Sequence, residues 1–121
     1  MSIHKILIVD DSRTELVHLS EILRGAGYEV DTVQDADQAQ ARLDQSPPDL
    51  VLMDVVMPGK NGFQLTRSIT RDPRYANLPI ILCTSKNQET DRLWGLRQGA
   101  RDYIVKPVQQ EDLLSKIKAL G

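Results

Sequence analysis

Cysteine and long apolar runs are both scarce in this sequence. A single cysteine, Cys83, excludes a disulfide framework and a cluster of cysteine and histidine ligands for a metal. It lies in an apolar run at 80–83, where we expect a small buried residue rather than a reactive thiol. No run approaches the ~20 apolar residues of a membrane span, and the first apolar strand follows Met1 too closely for a signal segment. We therefore expect a cytoplasmic protein without membrane insertion.

Neither sign of charge is in clear excess. The chain has 15 lysine and arginine residues against 17 aspartate and glutamate residues, and it has no basic block. An electrostatic footprint for nucleic acid is therefore missing, and nucleic acid is not an expected partner. The 121 residues suit one domain with one core, which we place over residues 1–121.

Short apolar runs alternate along the chain with stretches whose apolar residues recur every three to four positions. We predict strands at 6–9, 28–33, 50–53, 78–83 and 103–105, each followed by a helix. The run at 28–33 alternates apolar and charged residues, which favours the edge of a sheet. Because such a pattern gives right-handed crossovers, the predicted class is α/β: a doubly wound, five-stranded parallel sheet of order 2-1-3-4-5 with five helices, flavodoxin-like.

Polar residues at the predicted helix starts indicate caps. Ser12 and Glu15 have the spacing of a capping box, in which the hydroxyl and the carboxylate each accept a bond from a helix-start amide. Asp35 and Asn87 are the predicted caps of the second and fourth helices. The apolar residues that the first helix should bury are Leu16, Leu19, Leu23 and Ala26.

Carboxylates directly follow two of the predicted strands. Asp10 and Asp11 end the first strand and Asp54 ends the third, so the predicted strand order brings them together at its switch point. Three carboxylates in one crevice repel each other unless a hard cation lies among them, and Mg²⁺ accepts such ligands together with phosphate. Thr84 and Lys106 follow the fourth and fifth strands and add a hydroxyl and an ammonium group. This set predicts a clamp for a phosphoryl group, with Asp54 as the nucleophile that forms an aspartyl phosphate.

Four segments together resemble the receiver domain of two-component response regulators, and the likeness covers the whole chain. The segments are Ile8-Val9-Asp10-Asp11-Ser12, the stretch 52–62 around Asp54, the strand end Thr84-Ser85, and Lys106-Pro107. The resemblance implies that Asp54 is the phosphoacceptor and that Asp10 and Asp11 organise Mg²⁺, or Mn²⁺ in its place. It further implies a metal ligand from the backbone carbonyl of Val56.

The same resemblance assigns roles to the ends of the fourth and fifth strands. Thr84 and Lys106 are expected to bind the phosphoryl oxygens, and the Lys106-Pro107 bond is expected to be cis. Tyr103 occupies the aromatic switch position, three residues before the lysine. By hypothesis, phosphorylation draws the Thr84 hydroxyl inward and frees space for Tyr103, which reshapes the surface of the fourth helix, fifth strand and fifth helix.

The partners and the pathway also follow from the resemblance. The implied phosphodonor is a histidine kinase or a histidine phosphotransfer domain, and the signal would leave through an effector protein. The stretches 88–95 and 98–103 are most similar to the small PilH-like regulators of bacterial twitching motility, which implies a chemosensory or type IV pilus pathway. Trp94, in the first of these stretches, is either a packed residue of the fourth helix or an anchor for a partner.

Two positions near the predicted site depart from commoner receiver residues. Val56 is apolar and cannot orient a hydrolytic water, and Lys86 carries a positive charge instead of a carboxylate or amide. We therefore expect autodephosphorylation to be slower than in chemotaxis receivers that have polar residues at these positions.

Three other functions are the alternatives to a receiver that signals to an effector. A phosphate sink for a shared kinase would use the same acceptor without an effector. A phosphohydrolase of the haloacid-dehalogenase type needs a second carboxylate two residues after the nucleophile, where this chain has Val56. A flavin or nucleotide module needs a glycine-rich phosphate loop, and Gly59-Lys60-Asn61-Gly62 has neither the required spacing nor the required setting. The expected protein is thus a signalling switch with only self-catalysed phosphoryl chemistry, not an enzyme acting on a separate substrate.

Overall fold

The computed structural model describes residues 2–120, which form one parallel sheet with helices on both faces. The strands are β1 (Lys5–Val9), β2 (Glu29–Val33), β3 (Leu50–Met53), β4 (Ile80–Thr84) and β5 (Asp102–Val105). The helices are α1 (Arg13–Gly25), α2 (Ala36–Gln45), α3 (Gly62–Arg71), α4 (Glu89–Arg97) and α5 (Gln110–Leu120), with a 3-10 helix at Pro73–Tyr75. The strand order is β2-β1-β3-β4-β5, all parallel, so the predicted α/β fold and its order are confirmed.

The sheet separates two apolar cores. Alternate residues of β1 point to opposite faces, so Ile6 and Ile8 join the core under α1 and α5, while Leu7 and Val9 join the core under α2 and α3. All four residues of β3 are buried, as expected for a central strand covered on both faces. The edge strand β2 is the least buried strand, in agreement with its alternating sequence. Within residues 2–120, no helix is both long enough and apolar enough to cross a membrane.

Only half of the predicted capping box at α1 is present. The Ser12 hydroxyl accepts a hydrogen bond from the Glu15 amide at 3.3 Å, as predicted. The Ser12 amide, however, donates to Oδ1 of Asp10 at 2.9 Å and not to the Glu15 carboxylate. The prediction for the Glu15 side chain was therefore wrong, because the Asp10 carboxylate is closer in sequence and already takes that amide.

Several other local predictions were also wrong. Ala26 is exposed because α1 ends at Gly25 and the chain turns away through Gly27, whose φ is +95°. Helix α4 is preceded by Gln88 rather than Asn87, and the Gln88 amide donates to Oδ2 of Asp91 at 3.3 Å. Strand β4 begins at Ile80 instead of position 78, since Pro79 has no amide hydrogen to donate to a ladder.

Candidate functional site

The carboxyl ends of β1 and β3 bring three acidic side chains together. The Asp54 amide donates to the Val9 carbonyl at 2.9 Å, which extends the pairing of β3 with β1 by one residue and fixes the Asp54 backbone beside Asp10. One carboxylate oxygen from each of Asp10, Asp11 and Asp54 can be chosen so that all three lie within 4.8 Å of one another. The topology therefore places the predicted acidic residues in one cluster.

Lys106 is the cation in contact with this cluster. Its Nζ donates to Oδ2 of Asp10 at 2.7 Å and to Oδ2 of Asp54 at 3.4 Å. Burial alone would lower the lysine pKa, but the bond to Asp10 and the charges of Asp10 and Asp54 outweigh burial and raise it. Burial raises the pKa of Asp10 despite the opposing effect of Lys106, since only 1 % of that residue is exposed. One ammonium group therefore compensates the two buried carboxylates only in part.

The donor set fits a hard divalent cation. Asp10 and Asp54 are buried, with Asp54 only 7 % exposed, whereas Asp11 is exposed and can keep bound water at the rim. Mg²⁺ prefers a few carboxylate oxygens and retains several waters, which matches two buried carboxylates and one exposed carboxylate. Asp10, Asp11 and Asp54 are the side chains that would hold the ion, which would supply positive charge to phosphoryl oxygens.

Thr84 is the last residue of β4 and is fully buried. The Lys106 amide donates to the Thr84 carbonyl at 2.9 Å, so the ends of β4 and β5 lie side by side. The Thr84 hydroxyl accepts a bond from the Lys86 amide at 3.3 Å and is thereby tied to the loop after β4. The bond between Lys106 and Pro107 is cis.

Tyr103 links β5 to the loop before α4. Its side chain is buried, and its hydroxyl donates to the Lys86 carbonyl at 2.9 Å. Burial, reinforced by the charges of Asp91 and Asp54, raises its pKa to about 12. The ring lies inside the fold. The hydroxyls of Tyr103 and Thr84 both form hydrogen bonds to Lys86, in the loop between β4 and α4.

Val56 lies at the exposed rim beside Asp54. Its amide donates to Oδ1 of Asp54 at 3.3 Å, and the residue is 53 % exposed. The Val56 backbone thus contacts the Asp54 carboxylate, and its apolar side chain is exposed at this rim. The role of its carbonyl as a metal ligand stays a prediction.

Gly62 is a positioning residue that the sequence analysis missed. It is the first residue of α3, and its amide donates to the Val55 carbonyl at 2.9 Å. A Cβ at this position would lie 2.8 Å from Cα of Val55 and closer still to the carbonyl oxygen of Asp54. The start of α3 therefore packs directly on the backbone that carries Asp54, and only glycine permits this approach. The Asn-Gly pair at 61–62 was the available signal, but it indicated only a helix start.

Comparisons with known proteins agree with this fold. The model of the response regulator receiver domain matches residues 6–118. The chain is 50% identical over 116 residues to protein PilH of Pseudomonas aeruginosa, covering 96% of both chains. It is 39% identical to the phosphate regulon transcriptional regulatory protein PhoB of Rhizobium meliloti, where it covers 96% of this chain but only 51% of the relative.

Solved structures of response regulators are also similar to this chain. Chemotaxis response regulator CheY4 of Vibrio cholerae has a TM-score of 0.90 with 31% identity, over 99% of this chain and 100% of that one. A BeF3-activated DrrB receiver domain has a TM-score of 0.87 with 30% identity, over 98% and 97%. The chain belongs to the family of response regulator receiver domains, and among them it is similar to PilH.

Proposed function

We propose that this chain accepts a phosphoryl group on Asp54 from a histidine kinase or a histidine phosphotransfer domain, in a reaction that depends on Mg²⁺ or on Mn²⁺ in its place. The observation that carries the proposal is the cluster of Asp10, Asp11 and Asp54, with oxygens within 4.8 Å of one another and Lys106 in contact. Such a set of groups suits a phosphoryl group that carries charge on its oxygens.

Each residue has a distinct part in the proposed reaction. A carboxylate oxygen of Asp54 forms a bond to phosphorus while the bond from phosphorus to the donor histidine nitrogen breaks. The Val56 amide, at 3.3 Å from Oδ1, orients the carboxylate. Lys106, at 3.4 Å from Oδ2, is near enough to pair with a phosphoryl oxygen, and the Thr84 hydroxyl is the second donor. The ion held by the three aspartates would neutralise part of the phosphoryl charge.

The output surface that we propose consists of α4, β5 and α5. Among the described residues, three of the five exposed large apolar side chains lie there, namely Leu93, Trp94 and Val105. Exposed apolar residues on adjacent elements favour a protein partner, and this observation supports an effector rather than a phosphate sink alone. Tyr103 and Thr84 both bond to Lys86, in the loop that leads into α4, so a change at Thr84 has a short route to this surface.

The pathway is proposed from the similarity to PilH, at 50% identity over almost all of both chains. We infer a role in a chemosensory or twitching-motility (type IV pilus) system. The chain is then a signalling switch whose only chemistry is its own phosphorylation and dephosphorylation.

Phosphotransfer tests the proposal. Radiolabelled candidate kinases or phosphotransfer domains should label the wild-type chain in the presence of Mg²⁺ and fail to label Asp54→Asn. Asp37→Asn, an identical change at an exposed position of α2, is the matched control and should be labelled normally. Equal labelling of wild type and Asp54→Asn would move the site elsewhere.

A further inference from the structure

Glu15 carries a carboxylate that has no role in the proposed reaction. Its Oε1 is buried, and within residues 2–120 it is the one buried side-chain nitrogen or oxygen that has no hydrogen-bond partner. A buried acceptor without a partner is destabilising, because it loses its hydration without gaining a hydrogen bond. The Ser12 amide, which a capping box would have given to Glu15, is taken by Asp10. Native structures pair nearly all such atoms, so an unpaired one calls for a functional explanation.

Glu15 lies on a face of α1 that contacts the loop after β5. His18 lies one turn further along the same face of α1, and its Nε2 is 3.3 Å from the carbonyl of Val108. That carbonyl belongs to the loop that follows Lys106. The face of α1 that carries Glu15 and His18 is therefore the face packed against the Lys106 loop.

The charge of Glu15 is felt at the buried thiol of Cys83, next to the end of β4. Burial has the largest effect on the Cys83 thiol and raises its pKa; among the charged groups Lys106 lowers it, and Glu15 raises it more than Asp10 or Asp54 does. Glu15 and Lys106 thus both act on this thiol, and the ion-pair partners of Lys106 in this structure are Asp10 and Asp54.

Lys106 needs another acceptor when the site is loaded. An ammonium group has three donors, and in this structure two of them point to Oδ2 of Asp10 and Oδ2 of Asp54. A divalent cation at the aspartate cluster would compete with Lys106 for the carboxylates of Asp10 and Asp54. The bonds of Lys106 to these carboxylates would then be weakened, whereas the buried Oε1 of Glu15 has no partner to lose.

We propose that Glu15 is a positioning residue that accepts a hydrogen bond from Lys106 when a divalent cation occupies the aspartate cluster. The bond would keep the ammonium group beside Asp54 while the Asp10 carboxylate holds the cation. This inference rests on the proposed function, because it assumes that the cluster binds Mg²⁺.

Titration of the metal-free protein with Mg²⁺ alone, followed by calorimetry, tests the proposal. Glu15→Gln keeps the size of the side chain and removes its charge. We expect it to weaken Mg²⁺ affinity by about tenfold, the effect of losing a charge-assisted hydrogen bond. Glu21→Gln makes the same change on an exposed part of α1 and should stay within about twofold of wild type.

A double-mutant cycle separates positioning from a general structural or charge effect. In a Lys106→Met background the cation site remains, so Glu15→Gln should change Mg²⁺ affinity by less than about twofold. An unchanged tenfold loss in that background, or no loss in the wild-type background, would overturn the role of Glu15 while leaving the proposed function intact. Wild type that binds no Mg²⁺ would instead overturn the metal site and the role of Glu15 with it.

Discussion

Substitution of Gly62 by alanine tests how tightly α3 holds the Asp54 backbone. The new methyl group would lie 2.8 Å from Cα of Val55 and nearer still to the Asp54 carbonyl oxygen. Overpacking typically costs about 1–3 kcal/mol, and here the obstructing atoms are backbone, which cannot rotate away. Moving α3 outward would also weaken the bond from the Gly62 amide to the Val55 carbonyl, worth about 1 kcal/mol. The better helix propensity of alanine offsets at most about 1 kcal/mol. With that offset included, we expect a loss of about 1–3 kcal/mol in the free energy of unfolding.

The assay is urea denaturation of wild type, Gly62→Ala and Gly25→Ala at neutral pH. Gly25 ends α1, and an added Cβ there would meet nothing within 4 Å, so its replacement should be neutral or stabilise the protein by up to about 1 kcal/mol. Gly62→Ala with the stability of wild type to within about 0.5 kcal/mol, or the same loss in both variants, would refute the close approach of α3 to Asp54.

Three further predictions concern α4, β1 and the rim of the site. Gly95→Ala should lower the free energy of unfolding by about 1 kcal/mol in urea denaturation, because its Cβ would lie 2.7 Å from Cδ1 of buried Leu82, and a gain in stability would contradict this packing. Asp49→Ala should cost about 1–2 kcal/mol, since Oδ2 accepts bonds from the amides of His4 and Lys5 at 2.9 Å. Those amide bonds lower the pKa of Asp49, so its stabilising effect is present above the ordinary value of 3.8 and is lost as the pH falls through the lower, folded-state pKa. Denaturation of both proteins from neutral pH to below pH 3.8 should show the difference shrinking, and a constant difference would contradict the assignment. Val56→Asn should release phosphate faster than wild type in a phosphate-release assay, because a polar group at this exposed position can orient water; an unchanged rate counts against a role for Val56 in the lifetime of the phosphoryl group.

The fold followed from the sequence because the buried strands are short, apolar and well separated. Residues 50–53 have no polar side chain, and a strand buried on both faces requires such a run. The charged residues of β2 identified the edge, and with the edge assigned, only a few strand orders remained. The acidic cluster then followed from topology, since Asp10 and Asp54 end neighbouring strands.

Local details depended on competition between hydrogen-bond acceptors, and the sequence alone does not show which acceptor wins. Glu15 has the spacing of a capping residue, but Asp10 lies two residues before Ser12 and takes the same amide. Asn87 is a better capping type than Gln88, yet α4 begins one residue later, with Asp91 accepting the amide bond. Such outcomes depend on which acceptor the backbone brings closest.

The tertiary contacts of Gly62 and Tyr103 could not be predicted from the sequence either. The Asn61-Gly62 pair indicated only the start of a helix, because nothing in the neighbouring residues shows that α3 rests on the Asp54 backbone. Tyr103 was assigned to a switch position by resemblance, whereas the bond from its hydroxyl to the Lys86 carbonyl required coordinates. That bond identifies the loop between β4 and α4 as the segment that Tyr103 holds.

Intact-mass spectrometry after incubation with acetyl phosphate tests the central claim most directly, because it needs no knowledge of the natural kinase. With Mg²⁺, the wild-type chain should gain the mass of one phosphoryl group, and removal of the metal by EDTA should prevent the gain. Asp54→Asn should gain nothing, while Asp37→Asn should behave as wild type. A phosphoryl group on Asp54→Asn, or full modification of wild type in EDTA, would contradict a metal-dependent phosphoacceptor at the end of β3.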